Sequence, residues 1–337
     1  MTLLKSGLLA LATCVALAGP MTTLPAAAQT KWIMASGNPE SNFLTKNLRL
    51  LIEDIQKSTG GKLQIQLSAN DTLIKLDSIK RAVQTNQIPI GEIRMGVYGN
   101  EDPMNILDNT PFLAPSYDTA WKLLEVQKPY FDTAFGKNGM KIIGYQPWPG
   151  QGFYTKFPVT KMEDFKGKRL RIYSTQTQKM GTMMGFNATI LPFAEVPQAF
   201  STGLIEALFT SPQTGIDIQA WENTKYFTHA GALYSKNAVI VNARAFDRLP
   251  ADVKTAVMKA GEVFTKRGWE MSASVTEEQL GTLKQHGMMV SELPPSLVAD
   301  MKTIGDTMMA DWKDTANAEA IAVLNYFLTN KQQASAQ

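Results

Sequence analysis

The first apolar run of the chain, Trp32-Ile33-Met34-Ala35, reads as a buried strand over 30–36, and the polar turn Gly37-Asn38-Pro39-Glu40-Ser41-Asn42 follows it. Leu44, Leu48, Leu51, Ile52 and Ile55 then form one stripe at helical spacing, stopped by Gly60-Gly61. Leu63, Ile65 and Leu67 alternate as a strand does. Leu73, Leu76, Ile79 and Val83 mark a second helix, and residues 88–95 a third strand. An extended segment over 107–114, a helix over 118–135 and a strand over 140–146 follow. Strands and helices alternating at this length predict an α/β domain, whose ligands sit beyond the carboxyl ends of its strands. The loop 37–43, with Asn42, takes such a position, as do Arg94, Tyr98 and Asn100. Each of these is also ordinary loop chemistry.

The pattern breaks at Pro147-Trp148-Pro149-Gly150-Gln151-Gly152. Two prolines, two glycines and a tryptophan in six residues read as a crossing between domains, with Trp148 and Gln151 placed to line a cleft or simply to pack. Gly150-Gln151-Gly152 is too short for a dinucleotide fingerprint. A second unit begins with a strand over 153–159. A Gly turn at Asp164-Phe165-Lys166-Gly167 then opens a short strand. Leu170 and Ile172 point to one face of it, Arg169, Arg171 and Tyr173 to the other. An arginine fixed on a strand suits bidentate recognition of a carboxylate, and equally a salt bridge on a half-exposed edge. A Met-rich helix over 176–185, a strand over 187–191, a short helix over 195–202 and a strand over 205–209 follow. The last of these carries Phe209 and ends in Thr210-Ser211-Pro212. A helix over 216–223 holds Trp221, and Asn237 opens a strong strand over 237–241. Leu249-Pro250 then starts a helical pattern reaching about residue 286 without a proline, able to span roughly 45 Å or more. A strand over 288–293 and helix over 296–328 end the chain.

Composition narrows the function. At 337 residues, 44% hydrophobic and 19% charged, the chain is an ordinary globular protein with room for two domains. A net charge of +3, spread along the sequence, gives no basis for a nucleic-acid partner. Lys5, an apolar run from Leu8 to Ala18 and Ala26-Ala27-Ala28 before Gln29 read as an export signal cleaved after Ala28. Leu11-Ala12-Thr13-Cys14 loosely resembles a lipid-attachment site, but Thr13 is a poor residue before the cysteine. Cys14 is the only cysteine, so the mature chain has no disulfide, no thiol nucleophile and no thiolate metal site. His229 and His286 are the only histidines, and neither lies in a nucleophile motif. Glu195 and Glu206 read as structural, not as an acid–base pair. No enzyme, catalytic residue, metal or cofactor is expected; an exported hydrolase is the remote alternative.

Several motifs, in order, resemble the solute-binding proteins of tripartite ATP-independent periplasmic (TRAP) transporters, the DctP-like family. They are Pro158-Val159 with Asp164-Phe165-Lys166-Gly167 and Arg169-Leu170-Arg171-Ile172; Pro192-Phe193-Ala194-Glu195-Val196; Phe200-Ser201-Thr202-Gly203-Leu204-Ile205-Glu206-Ala207; and Leu249-Pro250 opening the long helix. Thr59-Gly60-Gly61-Lys62-Leu63 and Pro111-Phe112-Leu113 extend the likeness to the first half. The resemblance implies a two-domain periplasmic α/β fold with hinge strands and a long helix across both domains. The domains would be 29–148 plus about 237–276, and 149–236 plus about 277–330. It implies capture of a small organic acid by closure, delivery to a small and a large membrane subunit, and a carboxylate-clamping role for Arg171. A sensor kinase or chemoreceptor is the alternative partner, and the protein is expected to act as a monomer. Residues 150–155 lack the second arginine of acid-sugar binders, and Thr210-Ser211 stands where an asparagine is common. The ligand expected is therefore a monocarboxylate, a hydroxy or keto acid, or an aromatic acid. One arginine, Arg171, would hold it among Trp148, Gln151, Phe209, Thr210, Ser211, Asn42, Tyr173, Trp221 and Asn237.

Overall fold

A computed structural model describes residues 29–335; the export signal, its cleavage after Ala28, and Cys14 lie outside the described residues. The first part of the chain runs β1 (Thr30–Ala35), α1 (Phe43–Ser58), β2 (Leu63–Ser68), α2 (Leu76–Gln84), β3 (Ile90–Arg94), α3 (Tyr117–Lys137) and β4 (Met140–Pro147). The middle runs β5 (Gly152–Thr155), β6 (Arg169–Ile172), α4 (Thr175–Met183), β7 (Asn187–Ile190), α5 (Val196–Ser201), β8 (Ala207–Thr210), α6 (Pro212–Asp217) and β9 (Tyr226–His229). The chain ends with β10 (Lys236–Asn242), α7 (Ala243–Asp247), α8 (Ala251–Gln285), β11 (Met289–Glu292), α9 (Pro295–Thr315) and α10 (Ala318–Ser335).

These strands form two sheets, and each sheet anchors one lobe. The first has the order β2-β1-β3-β10-β4, the second β11-β9-β5-β8-β6-β7. β1 runs parallel to β2 and β3, whereas β10 is antiparallel to β3 and β4. The chain leaves the first lobe after β4 and returns to it as β10. Two crossings, residues 148–151 and 230–235, therefore run side by side between the lobes. Trp148 N donates to Ser235 O at 2.8 Å and binds one crossing to the other.

The helical stripes do what their spacing requires. Leu48, Leu51, Ile52 and Ile55 of α1 pack with Val253, Val257, Ala260 and Phe264 of α8 on one face of the first sheet. Contact there is close: a Cβ on Gly261 would lie 2.1 Å from the carbonyl oxygen of Ile143 in β4. Further along, Leu280 and Leu283 of the same helix join Tyr154, Leu208 and Phe227 in the core of the second lobe. Helix α8 thus belongs to both cores.

Four elements differ from the sequence reading. The expected extended segment at 107–114 is a 3-10 helix, Pro103–Asn109, followed by Phe112 in the left-handed region at φ 57°. The helix expected over 216–223 starts earlier, with Pro212 at its first position, and ends at Asp217; only a 3-10 turn at Ala220–Glu222 follows. The strand expected over 153–159 ends at Thr155. Finally, the C-terminal region does not stay with the second lobe. Leu297, Met301, Ile304 and Met308 of α9 pack there. Trp312 at its end, with Ala320, Leu324 and Phe327 of α10, instead enters the core of the first lobe beside α3. Helix α9 itself runs from the second core to the first, and the break at Ala316, where the backbone is extended, starts α10 on the first lobe.

Candidate ligand-binding site

Gly167, at φ 73°, makes the turn into β6, and Leu170 and Ile172 anchor that strand in the core of the second lobe. Between them Arg171 is directed the other way, yet only 1% of its surface is exposed. Its Nε donates to Leu191 O at 3.0 Å, while its buried Nη2 has no partner. Arg94 ends β3 in the first lobe and is 8% exposed. Its guanidinium lies 5.3 Å from the Trp148 ring and 5.9 Å from the Tyr173 ring. The Arg171 guanidinium lies 6.0 Å from the same Tyr173 ring. One tyrosine therefore sits within cation–π range of two arginines from different lobes.

Both guanidiniums line a cavity of about 540 Å³ between the lobes. Its walls include Asn38, Val97 and Asn100 from the first lobe and Ser174, Thr175, Ile190 and Phe193 from the second. A small niche shares Arg94 and Tyr173 with it and adds Trp148, Gln151, Thr210, Ser211, Thr214 and Ser235. Burial, and then Arg94, pushes the Arg171 guanidinium down to about 9, so it remains charged at neutral pH. Burial also lowers Arg94. Two buried like charges with a free N–H between the lobes leave a strong positive potential where a solute would enter.

The profile of the bacterial extracellular solute-binding proteins, family 7 (DctP), matches residues 34–315. The chain belongs to this family. This DctP-family protein is 42% identical to DctP7 of Bordetella pertussis, an extracytoplasmic solute receptor binding pyroglutamic acid; the match has a TM-score of 0.86 and covers 88% of this chain and 99% of that one. It is 32% identical to a marine metagenome TRAP solute-binding protein specific for pyroglutamate and solved with co-purified pyroglutamate. There the TM-score is 0.86, with 89% and 99% covered. The C4-dicarboxylate-binding periplasmic protein DctP of Rhodobacter capsulatus is 24% identical over 294 residues, 82% of this chain and 83% of that one. The TRAP resemblance read from the motifs and the two-sheet α/β fold both hold.

In the DctP-family fold the other candidate residues take different places. Tyr173 donates its hydroxyl to Gln151 Oε1 at 2.8 Å, and Gln151 Nε2 donates to Ser235 Oγ at 3.0 Å, so both crossings support the niche. Burial pushes the Tyr173 hydroxyl up and keeps it a neutral donor. Ser211 caps α6 by accepting from Thr214 N at 3.2 Å. Asn237 stands behind the site: its Oδ1 accepts from Trp148 Nε1 at 2.8 Å, and its Nδ2 donates to Glu92 Oε1 at 3.0 Å. Asn42 caps α1 through Oδ1 and donates Nδ2 to Asp217 Oδ2 at 2.7 Å, away from the cavity lining.

Two aromatic candidates are corrected. Phe209 is fully buried against Phe153, at 4.7 Å between ring centroids, in the core of the second lobe. The strand it sits on is apolar on both faces, so its side chain is used for packing while Thr210, one residue on, reaches the niche. Trp221 stacks on His286 at 3.8 Å and packs against the core of the second lobe, outside the cavity lining. Beside the one arginine expected from the sequence, Arg171, a second, Arg94, lines the same cavity. The second arginine comes from the first lobe, not from residues 150–155. Its signal was Arg94 at a strand end, where open α/β sheets place ligand contacts. Of its two companions at that strand end, Asn100 lines the cavity and Tyr98 is buried in the core.

Proposed function

We propose that this protein is the exported solute receptor of a TRAP transporter. It captures a small singly charged organic acid, for which pyroglutamate is the first candidate. The reading rests on one observation: two buried guanidiniums, one from each lobe, face one cavity, and Arg171 Nη2 has no partner. A carboxylate entering there would gain charge-assisted hydrogen bonds and relieve the repulsion between the arginines. The likeness to two pyroglutamate-binding receptors supports the choice of acid. Pyroglutamate carries one carboxylate and a ring amide. The hydroxyl and amide groups of Thr210, Ser211 and Gln151 can answer that amide while Tyr173 and Trp148 cover the ring.

Capture proceeds by closure. Each lobe supplies one arginine, so full binding requires both lobes to meet on the ligand, and the closed population rises with occupancy. The loaded form then docks on the membrane subunits. Titration calorimetry on the purified mature chain should give saturable binding of pyroglutamate, and small-angle scattering should show compaction on loading. Binding of galacturonate or succinate in preference to pyroglutamate would sink the choice of acid, and an unchanged radius at saturation would sink the closure step. Sedimentation is expected to show a monomer in both states.

A further inference from the structure

Glu92 is the only fully buried glutamate among the described residues, and it lies two positions before Arg94 on β3. Alternation along the strand puts both side chains on one face. Four side chains donate to its carboxyl group. Ser36 Oγ and Asn38 Nδ2 reach Oε2 at 2.6 and 3.0 Å; Gln146 Nε2 and Asn237 Nδ2 reach Oε1 at 2.5 and 3.0 Å.

The two amides on Oε1 cannot be turned round. Asn237 Oδ1 is held by the indole N–H of Trp148, which only donates. Gln146 Oε1 accepts from Asn47 Nδ2 at 3.1 Å, and Asn47 Oδ1 accepts from Arg267 Nε at 2.7 Å, again a group that only donates. Donor-only groups at the far end of each chain thus fix the amide N–H groups on Oε1, so an acid proton could sit only on Oε2, facing Ser36 Oγ. Burial raises the carboxyl group's affinity for a proton, and the four hydrogen bonds only partly offset that rise.

We propose that Glu92 is a specificity-determining residue: as a buried carboxylate it offsets one of the two guanidinium charges, so that the cleft presents one net positive charge and selects singly charged acids over dicarboxylates. This rests on the reading of the cleft as an organic-acid site. The remaining buried pair nearby, Lys236 with Asp108, cancels within itself. The charged groups on the cavity rim are Asp71, Lys75, Asp77 and Glu195. Lys75, Asp77 and Glu195 are exposed to solvent, which weakens but does not remove the pull of Asp77 on both arginines, and half-buried Asp71 already takes the backbone N–H of Leu76 at 2.8 Å. Glu92 is the negative charge that water does not screen.

The test is competition calorimetry of succinate against pyroglutamate on the wild-type chain and on Glu92→Gln. Removing one charge from a dry site favours a dianion over a monoanion, so the succinate-to-pyroglutamate affinity ratio should rise about tenfold or more in the variant. An unchanged ratio in a folded variant overturns the proposal. Because Glu92→Gln also sets an amide against fixed donors, a second measurement uses the wild-type chain with ¹³C-labelled glutamate. Its infrared spectrum at neutral pH should lack the carbonyl band of a buried neutral glutamic acid. That band, if present, overturns the proposal whether or not the variant folds. Wild-type protein that binds no singly charged acid would instead overturn the organic-acid reading itself.

Discussion

Asn42 and Asp217 are 175 residues apart in the chain, yet Asn42 Nδ2 donates to Asp217 Oδ2 at 2.7 Å and ties the start of α1 in one lobe to the end of α6 in the other. The amide has no freedom to turn, because its Oδ1 already accepts from Leu44 N at 2.9 Å. Gln213 Nε2 donates to the second carboxylate oxygen at 2.8 Å, and Gln213 in turn accepts from Gln279 of α8. Three elements from both lobes therefore meet on one acid.

Burial pushes the Asp217 carboxyl up to about 6, from an ordinary value of 3.8. The folded protein therefore binds this proton more tightly than the unfolded chain. The stability it contributes is full below about pH 4 and is lost as pH rises through about 6, a change of about 3 kcal/mol. Asp217→Asn sets an amide N–H against the held donors of Asn42 and Gln213, so it should start below the wild type near pH 4 but gain on it by about 3 kcal/mol between pH 4 and pH 7 in denaturant unfolding. Parallel pH profiles for the two proteins would remove this role.

Arg171 shows the opposite balance of stability and function. Its guanidinium is buried, repelled by Arg94 and only partly hydrogen-bonded. Arg171→Met should raise the ligand-free melting temperature, since apolar replacement of a buried charge often stabilises by about 1–4 kcal/mol. The same change should weaken acid binding by about 2–5 kcal/mol. Calorimetry and thermal melts on one preparation check both signs; a variant that melts lower and binds normally contradicts the assignment.

Lys236 opens β10 directly after the second crossing and pairs with Asp108 at 2.6 Å, both side chains nearly inaccessible. Lys236→Met alone strands a buried carboxylate and should cost about 3–5 kcal/mol. Combining it with Asp108→Leu should recover most of that loss. Chemical denaturation of the two singles and the double closes the cycle, and additive losses would show that the pair is not coupled.

Gly261 lets α8 touch β4. Alanine there gains about 1 kcal/mol of helix propensity, but its Cβ would meet the Ile143 carbonyl at 2.1 Å, and backbone cannot step aside as a side chain can. Gly261→Ala should therefore lose about 1–3 kcal/mol by overpacking. Gly281→Ala, on the same helix with open space around it, should be neutral or stabilising. Equal effects at the two positions in urea unfolding would argue against the close approach.

Much of the architecture was legible in local pattern. The stripe of α1, the alternation of β2, the Gly turn before Arg171 and the proline-free run of α8 each follow from spacing within a few residues, because periodicity is set by the helix and strand themselves. Arg171 could be singled out for the same reason: a short strand with two buried neighbours fixes which way its arginine points. Phe209 and Trp221 misled because an aromatic residue, whether near a strand end or on a short helix, satisfies a core and a cleft equally well in sequence.

The sequence by itself determined most of the elements, the absence of cysteine from residues 29–337 and the presence of a strand-borne arginine. Only the tertiary structure decided what that arginine faces. Arg94 and Glu92 come from the other lobe, Asn237 returns to it after the second crossing, and α10 folds back onto α3. Those contacts join residues scores of positions apart, and no local period records them. They exist because two crossings hold the two lobes together, and burial between them sets the charge that a solute meets.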